Sequence, residues 1–221
     1  AELDFGNGWD YVPTLTWLAT NPAAPVRDFA REEVRSWGLH HRGASQSDAL
    51  FRSKVALDLT QLDAFEGAVR SFADVLLAGG MMSSEALARE FYVARPNYGA
   101  SADGDDTTRR DLRDLGQILR GVGASSFAAP ALRAAASAAS DALTRAVIAS
   151  DSGAYRGMYG QSGLHVGAPA GSRYDAAYES RYRAGASGSA SATRWTEVLA
   201  ATRPGASLGP LITRTLTNGV N

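Results

Sequence analysis

Cysteine is absent from the 221 residues, and lysine occurs only at Lys54, so arginine supplies the rest of the positive charge. Without a thiol the chain has no disulfide, no thiolate metal site and no cysteine nucleophile of its own. The formal net charge of −1 excludes the long-range positive field that draws proteins to nucleic acid or anionic lipid. The sequence also lacks the ~20-residue apolar run of a membrane-spanning helix and a signal-like start.

The remaining composition is that of an ordinary globular protein. Hydrophobic residues make up 45% of the chain and charged residues 20%, both typical of a folded domain. The sequence shows no internal repeat and no break in composition. We therefore predict one folded unit over residues 1–221.

Apolar residues at helical spacing predict a chain rich in helices. Pro25 is expected to begin one helix and Gly38 to end it. Thr60 and Asp63 resemble a capping box that opens the next helix. Further helices are predicted after Ser84 and over residues 109–122, 129–149 and 193–202. The alanine-rich helix over 129–149 is expected to pack closely against a neighbour.

Only two short strands are predicted, one over residues 54–57 and one over 163–169, where Pro169 ends it. Two such strands do not make a stable sheet by themselves. Each must pair either with a strand that the pattern does not reveal or with a strand on another chain.

The residues that could carry chemistry give weak signals. His40 and His41 follow the predicted helix end without a carboxylate at metal-ligand spacing, so a surface turn is the interpretation. His165 falls in a predicted strand, where a packed or edge histidine is expected. The acidic run 103–106 lacks the closing glutamate of a full calcium loop, and we interpret it as a solvated turn.

The stretch "GNGWDYVPTL" near the start of the chain allows two interpretations. Trp9, held by a glycine-rich turn, offers a flat wall for a pocket, and Asp10 or Asp4 could meet a cationic side chain there. Alternatively, the stretch is a helix entry, with Trp9 covering a core and Asp10 near the start of a helix over residues 13–19.

The order of several motifs resembles the clostripain family of cysteine peptidases. "GNGWDYVPTLTWLATNP" is similar to the segment that follows the family's catalytic cysteine, and "SKVALDLTQLDAF" to its strand ending in Asp-Leu before a helix. "RRDLRDLGQIL" is similar to its Asp-Leu helix start. "GLHVGAP", "YDAAY" and "TRWTEVLAA" are similar to a later strand, a tyrosine-spaced segment and a final helix. The match spans roughly Gly6 to Leu199.

The resemblance implies the C-terminal part of a caspase-like α/β/α sandwich, helix-rich, with few strands that complete a sheet from another chain. The implied activity is that of an autoprocessed, secreted or cell-envelope bacterial cysteine endopeptidase that cleaves after Arg or Lys. Its catalytic His and Cys would lie on an N-terminal chain of the same precursor, the implied partner. No cofactor is certain, and calcium is a candidate activator. Residues 1–20 would form a substrate-pocket segment and 185–192 a flexible loop.

The resemblance places no catalytic residue on this chain. It implies four substrate-binding residues, namely Asp4, Asn7, Trp9 and Asp10. Asn7 stands where the family pattern has an acid, and His165 and Gly167 replace a serine and a bulky residue. A second interpretation comes from another class of protein. In it the chain is a non-catalytic helical interaction module or a pseudo-peptidase.

Overall fold

The computed structural model describes residues 11–42, 54–79, 81–93, 112–151, 162, 164–167 and 193–201. Of these residues 71% are helical, and the strands form small two-stranded sheets. The described part of the chain is therefore a helix-rich α/β arrangement, in agreement with the class predicted. The predicted loop over 185–192 lies outside the described residues.

The helices, in chain order, are α1 (Val12–Thr20), α2 (Val26–Arg42), α3 (Leu62–Leu77), α4 (Ser84–Val93), α5 (Leu115–Ala124), α6 (Pro130–Ala146) and α7 (Trp195–Ala201). The strands are β1 (Lys54–Leu57), β2 (Leu112–Asp114), β3 (Val147–Asp151) and β4 (His165–Gly167), and a single 3-10 turn, Leu59–Gln61, joins β1 to α3.

The core lies where α6 packs against α3 and α5. Phe72, Ile118 and Leu132 are fully buried there, and burial of each such side chain stabilises the fold by ~1.5–3 kcal/mol. The small side chains of Ala136 and Ala139 are also fully buried, so the alanine-rich helix packs closely, as predicted. α7 adds to this core through Trp195, whose ring stacks on Phe91 with centroids 5.8 Å apart.

Each predicted strand pairs with a strand of this same chain that the sequence pattern did not reveal. β1 runs antiparallel to β3, with Lys54 opposite Asp151, and β2 runs antiparallel to β4, with Asp114 opposite His165. Among the described residues, the predicted strands therefore pair with strands that the pattern did not reveal, and not with strands of another chain.

Both missed strands overlap segments predicted as helix, and those predictions are wrong where they overlap. The helix predicted over 109–122 begins only at Leu115, because Asp114 caps it and Leu112 belongs to β2. The helix predicted over 129–149 ends at Ala146, and the adjacent β-branched residues Val147 and Ile148 continue as β3. Such residues favour the pleated backbone.

Two predicted helix boundaries are also wrong. Gly38 does not end its helix, since α2 continues to Arg42. Gly38 is buried inside α2, where a Cβ atom would collide with the carboxylate of Asp151. The predicted capping box of Thr60 and Asp63 does not open α3, which begins at Leu62 after Gln61 without a side-chain cap bond. Thr60 instead donates its backbone N–H at 3.0 Å and its hydroxyl at 2.6 Å to Asp58, which caps the 3-10 turn before α3.

Candidate functional site

The four predicted substrate-binding residues, Asp4, Asn7, Trp9 and Asp10, lie outside the described residues. The structure describes the chain from Tyr11 onward, which is the residue directly after Asp10. Of the predicted pocket segment over residues 1–20, the structure therefore describes Tyr11 and α1.

The helix predicted over residues 13–19, if the stretch is a helix entry, is confirmed, with α1 spanning Val12–Thr20. Pro13 lies in its first turn, where a missing N–H costs no hydrogen bond. At the other end the Thr20 hydroxyl donates to the carbonyl of Trp17 at 2.9 Å, and the Asn21 amide donates to the same carbonyl at 2.8 Å. These bonds satisfy one of the carbonyl groups that a helix end otherwise leaves unpaired.

α1 leaves most of its apolar side chains exposed. Thr14, 3% exposed, is the buried residue of α1, which packs against α2. The Oγ1 atom of Thr14 has no hydrogen-bond partner among the described residues. Trp17, the largest apolar side chain of α1, is half-buried, whereas Leu15 and Leu18 are 58% and 38% exposed. An apolar side of a helix normally faces a core, but here the leucines face away from the rest of the described chain.

At 100° per residue, five of the exposed apolar side chains, from the N-cap Tyr11 to Ala19, occupy one arc. We call this arc the α1 stripe, and its members are Tyr11, Val12, Leu15, Leu18 and Ala19, all exposed. No charged residue occurs in α1. The arc covers about 120°, the width of the face that an amphipathic helix usually buries.

A second structured region surrounds Asp114, at the junction of β2 and α5. The Asp114 side chain is fully buried and accepts a hydrogen bond from the backbone N–H of Gln117 at 2.8 Å. It also accepts one from the backbone N–H of Ser162 at 2.8 Å. Gly116 makes this approach possible, because a Cβ atom there would lie 2.7 Å from the Ser162 Cβ. The region holds β4, which carries His165, beside β2.

Asp58 lies at the matching junction between β1 and α3. Hydrogen bonds from Thr60 lower the pKa of Asp58 below its ordinary value, and the nearby charge of Arg27 adds to the effect. Arg27 and Asp58 form an ion pair that ties α2 to this junction. Asp58 thus caps the 3-10 turn that follows β1, as Asp114 caps the helix that follows β2.

The buried charges of β1 and α2 are paired. The ammonium group of Lys54, whose side chain is 5% exposed, forms an ion pair with Glu33. Glu32 accepts hydrogen bonds from Arg35 Nε at 2.6 Å and from Ser36 Oγ at 2.8 Å. Such pairing is what a buried charge requires, and the Lys54–Glu33 pair joins β1 to α2.

The histidines and acids give no metal centre in the described part of the chain. His40 is exposed in the last turn of α2, so the predicted surface turn for His40 and His41 is wrong, because α2 continues past Gly38. No group of three or more His, Cys, Asp or Glu residues that could hold a metal ion occurs among the described residues. The acidic run 103–106 lies outside them.

Two features of the described chain could not be predicted from the sequence, namely the contact of Ser162 with Asp114 and the outward direction of the α1 stripe. Ser162 gave no signal, because a serine that bonds a carboxylate 48 residues away leaves no local pattern. The outward direction of the α1 stripe was missed because the spacing of apolar residues identifies the apolar side of a helix but does not show whether that side contacts the core or the solvent.

No described helix is both long and apolar enough to cross a membrane. Compared with models of known families, with curated proteins and with solved structures, the chain has no match.

Proposed function

We propose that this protein is the C-terminal chain of an autoprocessed clostripain-like cysteine endopeptidase. The chain contributes a wall of the pocket for the residue before the cleaved bond, and its strands extend a caspase-like sheet. The catalytic His and Cys belong to an N-terminal chain of the same precursor. By itself this chain is inactive.

The observation that carries the proposal is the order of structural elements along the resemblance. Asp58 and Asp114 stand where the two Asp-Leu motifs stand, and each accepts a hydrogen bond from a backbone N–H at the start of a helical segment. The later strand and the final helix of the resemblance coincide with β4 and α7. The chain thus has two junctions, at Asp58 and Asp114, where an aspartate caps the helical segment that follows a strand. These junctions are followed by β4 and α7, and this sequence of elements supports the proposed order.

In the proposed reaction the thiolate of the partner chain attacks the scissile carbonyl, and the imidazole donates a proton to the leaving amine. Water then hydrolyses the thioester and regenerates the thiol. Backbone donors near the thiol stabilise the oxyanion. On this chain Trp9 stacks on the stem of an Arg or Lys side chain. Asp10, together with Asp4 or Asn7, meets the charged head.

Asn7 affects the specificity that this pocket can provide. An amide oxygen accepts a hydrogen bond from a guanidinium but carries no net charge, so the attraction is weaker than that of a carboxylate. The preference for a basic residue therefore depends on Asp4 and Asp10.

The test begins with the native protein. Intact-mass measurement is expected to find a second, co-purifying chain that contains Cys and His, and a thiol-directed reagent is expected to abolish cleavage of Arg and Lys peptides. The variants Asp10→Ala and Asp4→Ala are then expected to lower kcat/KM for these peptides at least about tenfold. Asp63→Ala, an exposed acid on α3, is the matched control and should leave kcat/KM unchanged.

Two results would count against the proposal. Unchanged kcat/KM in both pocket variants would remove these acids from the site. A single 23.2 kDa species that folds alone and cleaves no basic peptide would favour the helical interaction module or pseudo-peptidase instead.

A further inference from the structure

Two of the three methionines of the chain, Met81 and Met82, are neighbours in the connection between α3 and α4. Both side chains are partly exposed, and both pack against the hydrophobic core. Because the chain has no cysteine, the thioethers of methionine are its only side-chain sulfurs open to oxidation. The pair thus combines access for a small solute with contact to the core.

The connection that carries the pair is anchored to three helices. Gly79, with φ at 91°, turns the chain after α3. At the start of α4 the hydroxyl of Ser83 accepts a hydrogen bond from the Ala86 N–H at 3.2 Å. Between these points the carbonyl of Met81 accepts a hydrogen bond at 2.7 Å from the N–H of Ala129, the N-cap residue of α6. A change at the pair therefore acts where α3, α4 and α6 are held together.

We propose that Met81 and Met82 form an oxidative modification site, at which peroxides convert the thioethers to sulfoxides and thereby loosen this connection. With hydrogen peroxide, a sulfur lone pair forms an S–O bond to one peroxide oxygen and the O–O bond breaks. The transferred oxygen loses its proton, and the other oxygen takes up a proton and leaves as water. The sulfur is oxidised by two electrons, and the peroxide is reduced by the same two.

The packing of the pair explains why the modification matters. A sulfoxide is polar, and a polar group held against a core costs free energy unless it is hydrogen-bonded. If the oxidised side chain turns to water instead, it leaves a gap beside close-packed core residues, which also costs free energy. Either way the native state is destabilised, and the backbone bond from Met81 to the start of α6 is strained with it.

The experiment treats the full chain with increasing hydrogen peroxide, maps the sulfoxides by mass spectrometry of its peptides and follows thermal unfolding. Met81 and Met82 are each expected to gain one oxygen while the protein is still folded, and Tm is expected to fall by at least about 3 °C. Methionine sulfoxide reductases for both sulfoxide epimers are expected to restore the original Tm, because they reverse the modification.

Leucine variants provide the controls. Exchange of methionine for leucine conserves apolar volume, so the double variant Met81→Leu with Met82→Leu is expected to fold and to keep its Tm under peroxide. Each single variant is expected to lose part of the response, which provides the test if the double variant does not fold. Met158→Leu removes the remaining methionine, which lies outside the described residues, and should respond like the wild type.

Four outcomes would overturn the proposal. Met81 and Met82 could stay unoxidised in the folded protein, or become oxidised with no change in Tm. The fall in Tm could be equally large in the double leucine variant, or vanish in Met158→Leu. A Tm that stays low after both sulfoxides are reduced would assign the loss to another lesion and contradict the proposal as well. None of these readouts measures peptidase activity, so the proposed function can fail or stand separately.

Discussion

The carboxylate of Asp114 holds Ser162 through both its backbone and its side chain. The Ser162 N–H donates to Asp114 Oδ2 at 2.8 Å, and its hydroxyl lies 3.0 Å from Oδ2 and 3.2 Å from Oδ1. Asp114 is fully buried, and it also caps α5. One side chain therefore fixes the start of a core helix and the approach to β4.

Replacement of Asp114 is expected to be among the more damaging single changes in the described part of the chain. Asp114→Ala removes the cap of α5 and leaves the part-buried N–H groups of Gln117 and Ser162 without this acceptor. The expected loss is ~3 kcal/mol in the free energy of unfolding. Ser162→Ala keeps its backbone N–H bond and should cost about 1 kcal/mol. Chemical denaturation measures both.

The exposed acid Asp63 provides the control for this pair. Asp63→Ala, at the start of α3, should change stability by less than ~0.5 kcal/mol. Equal losses for Asp114→Ala and Asp63→Ala would contradict the role given to Asp114.

Two glycines within helices are expected to respond to alanine with opposite signs. Gly38→Ala places a Cβ atom against the Asp151 carboxylate and should destabilise the protein by ~1–3 kcal/mol. Gly67→Ala lies in α3 with no other atom within 4 Å of the new Cβ. It should stabilise the protein by up to ~1 kcal/mol, since alanine favours a helix. Thermal unfolding of both variants decides the matter, and shifts of equal sign would contradict it.

Glu32 is expected to contribute a pH-dependent part of the stability. Its hydrogen bond with Arg35, helped by Ser36, lowers the pKa of Glu32 below its ordinary value of 4.5. Because the folded-state pKa is the lower one, the contribution is complete above the unfolded-state pKa and is lost as the pH falls through the folded-state pKa. The stability advantage of wild type over Glu32→Gln should therefore be present at pH 7 and fade below about pH 4.5.

Unfolding free energies measured between pH 3 and pH 7 test this expectation. Glu85→Gln, an exposed acid in the first turn of α4, controls for the general effect of removing one negative charge. A difference between wild type and Glu32→Gln that stays constant over the whole range would refute it.

The sequence predicted the interior of long helices well and their ends poorly. The apolar positions of α3, such as Phe65 and Phe72, are buried as their spacing indicated. Leu112 and Leu115 are three residues apart and fit a helix equally well, but Asp114 between them is a cap, so the chain there is a strand followed by a helix. Local spacing does not show which interaction dominates when tertiary pairing competes with it.

The candidate site, too, could be predicted from the sequence only in part. The helix at the end of the pocket segment could be predicted from Pro13 and the apolar residues that follow it. That Thr14 would face α2 while Leu15 faces outward could not, because this depends on the relative placement of two helices. The contact between Asp114 and Ser162 depends on strand pairing and was equally out of reach.

The pairing of Lys54 with Asp151 has a consequence for how the protein folds. β1 emerges from the ribosome long before its partner β3, and α3 to α6 lie between them. Contacts so distant in sequence require a large loop to close, which slows folding. We expect the helical core to collapse first and the β1–β3 ladder to close late, leaving the edge of β1 exposed to aggregation during synthesis.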